Sequence, residues 1–514
     1  MSVQLEPLDH NIVFKPITGS SQEVAIDSRA DHTLYFGTRG PGKTATQLMY
    51  FRQFVGIGYG SFWKGIIFDK HYKNFNDIIS QAKRFFLQFN DCRFLGGTAE
   101  VKFVWDSGEE LLLRHVKDVS DYQNFHGFEA PFLGWNELTK QSTSDLYDMM
   151  MSINRSSFTP KRDTPRLANG DFNTPDKKPL PNIPLKVFST CNPSGPGRLW
   201  VKKRFIDVAK AGELVENKIK VFNPKTQKEE IITKTQIAIF GSYIENIYLD
   251  PSYIAELHRL TSNNPNLRKA WLEGSWDGSS GGIFDDLWDS KVHIVSRFKI
   301  PSNWFIKRCF DFGNAHPFAV VWIAEANGEE VIFENGAKIT FPRGSLIVFS
   351  EYYGGEDIST NVGLGLSPKE ISENIILREN TMLSQGWIQS MPQPGSADNQ
   401  IGNINTSDVE TIKKRMEDCG VYWTPSDKSK GSRINGLNLM RDMLKCALKN
   451  EGRGLYFMRN CVNCLESIPY LPRDEDNQED CDTSSNDHLY DALRYGVTES
   501  LNRCITKLTI NYGY

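Results

Sequence analysis

Residues 37–44 read Gly-Thr-Arg-Gly-Pro-Gly-Lys-Thr and satisfy every fixed position of G-x-x-x-x-G-K-[ST]. That spacing suits phosphate chemistry. Glycines let backbone N–H groups curl around phosphate oxygens with no Cβ in the way. A lysine after the last glycine reaches β- and γ-phosphates, and the next hydroxyl ligates Mg²⁺. Here the loop is Gly37, Gly40 and Gly42, the cation is Lys43 and the hydroxyl is Thr44. The motif needs a strand before it and a helix after it. "TLYF" (33–36) reads as a short buried strand, and a helix-like run starts at Ala45.

A phosphate cradle alone would serve a kinase, a switch or a motor, and a water-activating carboxylate separates these. The apolar run 132–135 ends in Asn136-Glu137. The usual ending is Asp-Glu, with the Asp holding the metal's water shell and the Glu polarising the attacking water. Glu137 fits the base role. Asn136 is a departure: its amide oxygen can hold a magnesium-bound water but adds no charge. The plain alternative is a surface Glu after a core strand. Asn192, in "STCNPSGPGRLWVKKRF" (189–205), is placed to sense a γ-phosphate from a neighbouring strand tip. Asn-Pro-Ser-Gly is also an ordinary turn.

The second half offers acids at strand or helix ends. Asp311 closes "FIKRCF", Asp398 sits in "GSADNQ", and Asp487 and Asp491 lie four apart in "DHLYDALRY", on one face if helical. Such acids suit a two-metal nuclease, since hard Mg²⁺ or Mn²⁺ ions take oxygen ligands and clamp a phosphodiester. Clustered acids repel and need a cation. His488 would order a water or touch the scissile phosphate. A chain with 63 Asp and Glu offers many such triples, so on spacing alone caps and surface acids are the readier reading. Cys461 and Cys464 form a lone C-x-x-C that Cys481 and His488 could complete as a zinc site. The spacing is irregular, and ordinary thiols are the favoured reading.

These groups need a scaffold. A chain of 514 residues, 39% apolar, predicts two to four domains with real cores. Net charge is −4, so any nucleic-acid contact must come from a local patch or channel. No secretory leader and no membrane span are expected, since no apolar run approaches ~18 residues. The nine scattered cysteines fit a reducing cytoplasm. "GIIFD" (65–69), "FLGWNE" (132–137), "LKVFST" (185–190) and "IAIFGS" (237–242) alternate with helical stretches, which predicts a mainly parallel α/β sheet. Residues 101–116 read as a hairpin with an Asp-Ser-Gly turn, and 157–184 as a long surface loop. The Gly/Ser-rich stretch 274–282 is the expected domain boundary. A second strand-rich block starts near 304 and turns helical toward 486–501.

Taken together, the chain resembles the large terminase subunit of tailed bacteriophages over roughly residues 10 to 500. The matching stretches include "FKPITGSSQEVAIDSRADHTLYFGTRGPGKT", "YQNFHGFEAPFLGWNEL", "STCNPSGPGRLWVKKRF", "YLDPSYIAELHRLTSNNPNLRKAWLEGSW", "FDFG", "SADN", "WTPSDKSKGSRINGLNLMRDML" and "DHLYDALRYG". The combination is specific, although most pieces singly are not. The resemblance implies an N-terminal P-loop ATPase of the additional-strand (ASCE) class, expected at 1–273. A linker at 274–300, an RNase H-like nuclease domain at 301–500 and a tail at 501–514 would follow. It implies ATP with Mg²⁺ as cofactors, and Mn²⁺ as an option at the nuclease. By the same resemblance Gln22 contacts adenine, Arg39 is the loop's early basic residue and Asn192 couples. Asp311, Asp398 and Asp491 are the nuclease acids, beside His488 and Asp487. Glu351 rivals Asp398 as the second acid. Arg155 and Arg204 are the candidates for an arginine finger acting across subunits.

The implied function is a DNA-packaging motor: ATP hydrolysis drives double-stranded viral DNA into a procapsid, and an endonuclease cuts the concatemeric genome. The implied partners are the portal protein, the small terminase subunit and further copies in a ring, in the host cytoplasm. Lys202, Lys203 and Arg204, or Lys428, Lys430 and Arg433, are candidates for gripping DNA. The modest net charge suits a motor that must also let go, because each neutralised phosphate adds affinity through counterion release. A P-loop helicase or repair ATPase with a fused nuclease, and a nucleotide-switched scaffold with little turnover, are the alternatives.

Overall fold

The computed structural model describes residues 12–97, 100–224, 226–262, 264–276, 282–403, 410–474, 477, 479–483 and 485–511, with side chains as far as 501. The chain divides into two compact units, Met1–Gly278 and Ser279–Tyr514. Much of the Gly/Ser-rich stretch 274–282 lies outside the described residues.

The first unit carries β1 (His32–Gly37), β2 (Lys64–Asp69), β3 (Cys92–Gly96), β4 (Val101–Trp105), β5 (Glu110–His115), β6 (Phe132–Trp135), β7 (Lys186–Cys191), β8 (Leu214–Asn223) and β9 (Lys228–Gly241). Among the described residues they form one nine-stranded sheet in the order β3-β4-β5-β2-β6-β7-β1-β9-β8. The run from β5 to β9 is parallel throughout. Its central strands β2, β6, β7 and β1 are buried almost end to end, as strands covered on both faces must be. Antiparallel pairs finish both edges, and the hairpin read at 101–116 is β4–β5. β7 lies between β1 and β6. It is the additional strand that separates the strand entering the glycine loop from β6, which ends two residues before Glu137.

Two apolar layers cover the sheet. On one face Phe51, Trp63, Trp105 and Phe132 are fully buried, with Phe51 and Trp63 stacked at 5.4 Å. On the other, Phe68, Trp135, Tyr147 and Trp200 meet. Residues 157–184 are less loop-like than expected. They include the short helix Pro160–Asp163 and an Arg166–Phe172 bridge, and they bury Leu180 and Ile183 against the first layer. Those two apolar side chains dock the segment.

The second unit carries β10 (Ile294–Val295), β11 (Phe305–Asp311), β12 (Ala319–Glu325), β13 (Glu330–Ile332), β14 (Lys338–Thr340), β15 (Leu346–Tyr353), β16 (Gln393–Ala397), β17 (Thr424–Pro425) and β18 (Leu455–Met458). Seven of them form a sheet in the order β10-β18-β15-β12-β11-β16-β17, and β13 pairs with β14. β11, β12 and β15 are mutually antiparallel, whereas β16 joins β11, and β17 joins β16, in parallel. Three antiparallel strands extended by parallel ones beside the first strand is the RNase H-like arrangement. The helix His488–Asn511 packs on β11, β12 and β16. It runs past residue 500, through most of the stretch expected as a tail. Part of the expected linker also folds here: β10 pairs with β18, and Trp288 packs on His293 and Phe457.

Replacing Phe51 with Ala removes a ring that touches Trp63, Trp105 and Phe132. We expect a loss of about 3–5 kcal/mol in the first unit, read as a lowered urea midpoint by Trp fluorescence. An unchanged midpoint would contradict the packing described.

Candidate functional site

The loop after β1 is shaped by positive φ. Gly37 (142°), Gly40 (104°) and Gly42 (88°) lie in the region where a side chain is strained. At Gly37 and Gly42 space is a second reason. A Cβ on Gly37 would meet the Gly241 carbonyl, and one on Gly42 the Gln22 amide. Gln22 lies buried on the helix Ser21–Ile26, so it reaches the loop it was expected to flank. The helix Lys43–Arg52 follows. Its Gln47 donates to the Trp135 and Phe188 carbonyls (3.1 and 2.8 Å), tying the phosphate loop's helix to β6 and β7 together.

Parallel order then sets three strand tips side by side. Lys43 is buried, and its ammonium donates to the Thr38 carbonyl (2.6 Å) and to Asn192 Oδ1 (2.9 Å). Burial pushes the lysine's pKa down, and Glu137 opposes that shift. The other end of the Asn192 amide donates to both Glu137 oxygens at 3.2 Å. Asn192 thus stands between lysine and glutamate and bonds each. Glu137 has φ 53°, a left-handed conformation that costs a non-glycine residue about 1 kcal/mol or more. Strain of that kind is retained where neighbours hold it, and here Asn192 and Thr190 do. A cleft of about 910 Å³ opens over these groups, lined by residues 39–45, Asn136, Glu137, Asn192, Asn246 and Tyr253 among others. Thr44 is in its wall.

Arg39 leaves the loop sideways. Its guanidinium lies 3.3 Å from the Trp271 ring centre, and the Arg39 backbone N–H donates to the Trp271 carbonyl. Asn246 donates to the Gly40 carbonyl (2.7 Å), and the Tyr243 N–H to Thr38 Oγ1 (2.6 Å), so residues 243–246 brace the cradle. Arg155 donates to the Phe128 and Gly127 carbonyls, and Arg204 pairs with Asp148.

In the second unit the acids come together. Asp311 ends β11, Asp398 follows β16, and Asp491 is on the helix His488–Asn511. All three approach one phenol: Tyr495 Oη lies 3.5 Å from Asp311, 3.3 Å from Asp398 and 3.4 Å from Asp491. The hydroxyl has one proton, so it can donate to only one of them. Cations close the rest. Lys428 donates to Asp398 (3.3 Å), and Arg433 to Asp487 (3.0 Å), Asp491 (3.4 Å) and Asp480 (2.9 Å). Lys428 and Arg433, expected to grip DNA, are therefore engaged with the acid cluster. His488 Nδ1 meets Asp311 at 3.0 Å and Nε2 meets Asn361 Oδ1 at 3.2 Å. Two acceptors favour the doubly protonated ring, and the Asp311 contact raises the His488 pKa although burial opposes it. Burial, reinforced by Asp491, raises Asp311 to about 6 despite its bond to His488. Burial and then Asp491 raise Asp487 to about 7.

Glu351 takes no part in this cluster. Its carboxylate accepts from the Asn463 and Cys464 N–H groups, both at 2.7 Å, at the start of the helix Val462–Ser467. The zinc alternative is not assembled either. Cys461 donates to the Val348 carbonyl, Cys481 accepts from Arg433, and His488 faces Asp311. Burial holds the Cys461 and Cys464 thiols protonated, which makes them poor ligands. Among the described residues, no group of three or more His, Cys, Asp or Glu stands ready to hold a metal ion. In the acid cluster the cations and the phenol occupy that role.

Sequence reading missed Tyr495 and Asp69. Tyr495 follows Asp491 by four residues, so helical spacing alone would have put it beside that acid. Asp69 ends "GIIFD", and nothing local marks it, because its partner Asn136 lies 67 residues on.

No protein-family model matches the chain, and no curated protein does. Solved structures that match include the large terminase from the thermophilic bacteriophage D6E, at 14% identity over 93% of this chain and 97% of that one, TM-score 0.37. The HK97 bacteriophage large terminase matches at 9% identity over 92% of each chain, TM-score 0.40. The P22 large terminase nuclease domain matches 44% of this chain and 93% of its own, at 17% identity and TM-score 0.30. The fold itself stands on the strand orders above.

The raised acids give the second unit a pH signature. Asp311 and Asp487 keep protons that the unfolded chain, near the ordinary value of 3.8, has already released. The folded state therefore binds more protons between about pH 4 and 7, and stability falls as pH rises through that window. His488 acts in the same sense, its contribution being lost as pH rises through its raised folded value. In EDTA, the thermal midpoint of the second unit should drop from about pH 5 to about pH 8, and Asp487→Asn should flatten the slope. Calorimetry checks this, and a rising midpoint would contradict it.

Proposed function

We propose that the chain is a viral DNA-packaging motor subunit, with ATP hydrolysis in the first unit driving double-stranded DNA into a procapsid and a metal-dependent endonuclease in the second. The observation that carries this reading is the Lys43–Asn192–Glu137 contact chain, which links the helix after β1 to the tips of the neighbouring strands β7 and β6. It gives a phosphate cradle, a coupling amide and a water-activating carboxylate one connected geometry.

In the first unit ATP phosphates compete for Lys43, which now bonds Thr38 and Asn192. When Lys43 turns to phosphate, Asn192 loses one partner, and its hold on both Glu137 oxygens can relax. Glu137 then serves as base for the attacking water. Thr44 and Asn136 are the residues that would hold Mg²⁺ or its waters, and the ion would neutralise phosphate charge. Gln22, Arg39, Gly37, Gly40 and Gly42 complete the nucleotide site.

In the second unit Asp311, Asp398, Asp487 and Asp491 supply the hard oxygen donors that Mg²⁺ or Mn²⁺ prefers, and the ion would act as a Lewis acid on a phosphodiester. Their crowding supports a cation site, because repulsion between buried carboxylates must be balanced. Lys428 and Arg433 balance it here. DNA phosphates attract the same two side chains, so an approaching backbone draws them off the acids and leaves oxygens for metal. His488, held by Asp311 and Asn361, is a proton donor beside the acids. Glu351, as a helix cap, is not proposed as a nuclease acid.

The portal protein, a small terminase subunit and further copies of the chain in a ring are the partners this role requires, in a host cytoplasm. Among the described residues no helix is long and apolar enough to cross a membrane. Arg155 and Arg204 remain the finger candidates across the ring.

Mixed with matching empty capsid shells and portal, the protein should protect linear duplex DNA from added nuclease only when ATP is present. Strand separation without capsid stimulation would favour the helicase alternative instead. Glu137→Gln should lower ATP turnover by about 10²–10⁴-fold, and turnover equal to wild type would remove Glu137 from the mechanism. Asp311→Asn should abolish cutting and leave ATP hydrolysis near wild type. Mn²⁺ added after EDTA should restore cutting by the wild type, and retained cutting in Asp311→Asn would refute the ligand assignment.

A further inference from the structure

Asn136 occupies the place where an acid is usual, and the structure shows what stands beside it. Asp69 ends β2, the strand next to β6, and its carboxylate is shielded from solvent. One oxygen accepts from Asn136 Nδ2 at 2.5 Å. The other accepts from the His71 N–H (2.8 Å) and Asn74 Nδ2 (2.9 Å), with Lys140 Nζ 3.6 Å away. The Asn136 backbone N–H donates to the Phe68 carbonyl (2.9 Å), so the two tips are held in register.

A carboxylate only accepts, and an amide has one donating and one accepting end. Asp69 therefore takes the NH₂ end of Asn136 and leaves its carbonyl oxygen facing away, on the side where Asn136 lines the cleft with Lys43 and Thr44. From these contacts we infer that Asp69 is a positioning residue for the nucleotide's divalent cation, acting through Asn136. It fixes the amide with its oxygen toward the metal's water shell and supplies a negative charge one strand away. The acid and the metal-facing oxygen are split between two residues. This rests on the nucleotide-hydrolysing reading of the first unit.

The same geometry explains why Asn136 is not an acid. Asp at 136 would face the buried Asp69 across a hydrogen-bond distance, and two carboxylates that close cannot both ionise without a cation between them. Asn at 69 would present NH₂ to Asn136, which must then turn its own NH₂ into the cleft, where it repels a cation. Exchanging the two residues restores a carboxylate–amide pair and again leaves an acceptor facing the cleft.

The test measures affinity for an ATP analogue with Mg²⁺ and with EDTA, and melting temperature without nucleotide, for wild type, Asp69→Asn, Asn136→Asp and the exchanged double variant. Wild type should bind the analogue more tightly with Mg²⁺. Asp69→Asn should lose about tenfold of that gain with little change in EDTA. Asn136→Asp should melt lower than wild type, and the double variant should recover both melting temperature and Mg²⁺ gain. An undiminished gain in Asp69→Asn would overturn the inference. So would Asn136→Asp that improves the gain at unchanged melting temperature, or a double variant no better than either single one. Wild type that binds no nucleotide would instead overturn the nucleotide reading of the whole unit.

Discussion

Lys43 sits almost wholly out of water, and a buried ammonium is tolerable only where its protons find oxygen. The oxygens come from its own loop and from Asn192, one strand over. Asn192 can do this because an amide is bipolar: it offers its oxygen to the lysine and its NH₂ to Glu137. A carboxylate in its place would pair with Lys43 but repel Glu137. An apolar residue would leave Lys43 with the Thr38 carbonyl alone and Glu137 with only the backbone N–H of residue 192 from that strand. The arrangement also depends on β7 running between β1 and β6. Remove that strand, and lysine and glutamate face each other directly with nothing between them to change partners.

The second unit meets the same problem with the opposite means. Its acids outnumber the amides near them, so cations intervene. Arg433 spreads a planar guanidinium over Asp480, Asp487 and Asp491, which its fixed fork of donors suits well. Lys428 covers Asp398, and the His488 ring covers Asp311. Tyr495, central to three acids, has a single proton to give. Burial first, and then the charge of Asp491, raises Asp311 and Asp487. Both sheets thus bring charge to strand ends, but one neutralises it with dipoles and the other with counter-charges.

Much of this was legible in the residues. The glycines, Lys43 and Thr44 form a local motif whose geometry follows from its own spacing, and the flanking strand and helix fall where it requires. Glu137 and Asn192 were legible one at a time, because each ends an apolar run that has to be a strand. Their contact was not, since strand order is set by packing across the whole sheet and leaves no local trace. Asp69 was invisible for that reason. It ends "GIIFD" as an ordinary strand terminator would, and only the pairing of β2 with β6 brings it to Asn136. Glu351 and Asp398 looked alike as acids at strand ends. Sheet order separates them, because β16 lies beside β11 whereas β15 is two strands removed. Lys428 and Arg433 read as surface cations because their partners are 30 to 58 residues away along the chain.

Dipoles and counter-ions respond differently when a ligand arrives. An amide can exchange one partner for another by a small rotation and stays neutral throughout, so the first site can switch without exposing an uncompensated buried charge. Moving Arg433 off Asp487 and Asp491 uncovers Asp487 and leaves Asp491 to Arg494 alone, which is costly unless another cation enters as the arginine leaves. On the packaging reading the two sites would therefore behave unlike each other by construction. The motor site turns over repeatedly with little reorganisation. The cutting site stays closed until polyanion and divalent ion arrive together, which is what a nuclease carried along an intact genome requires.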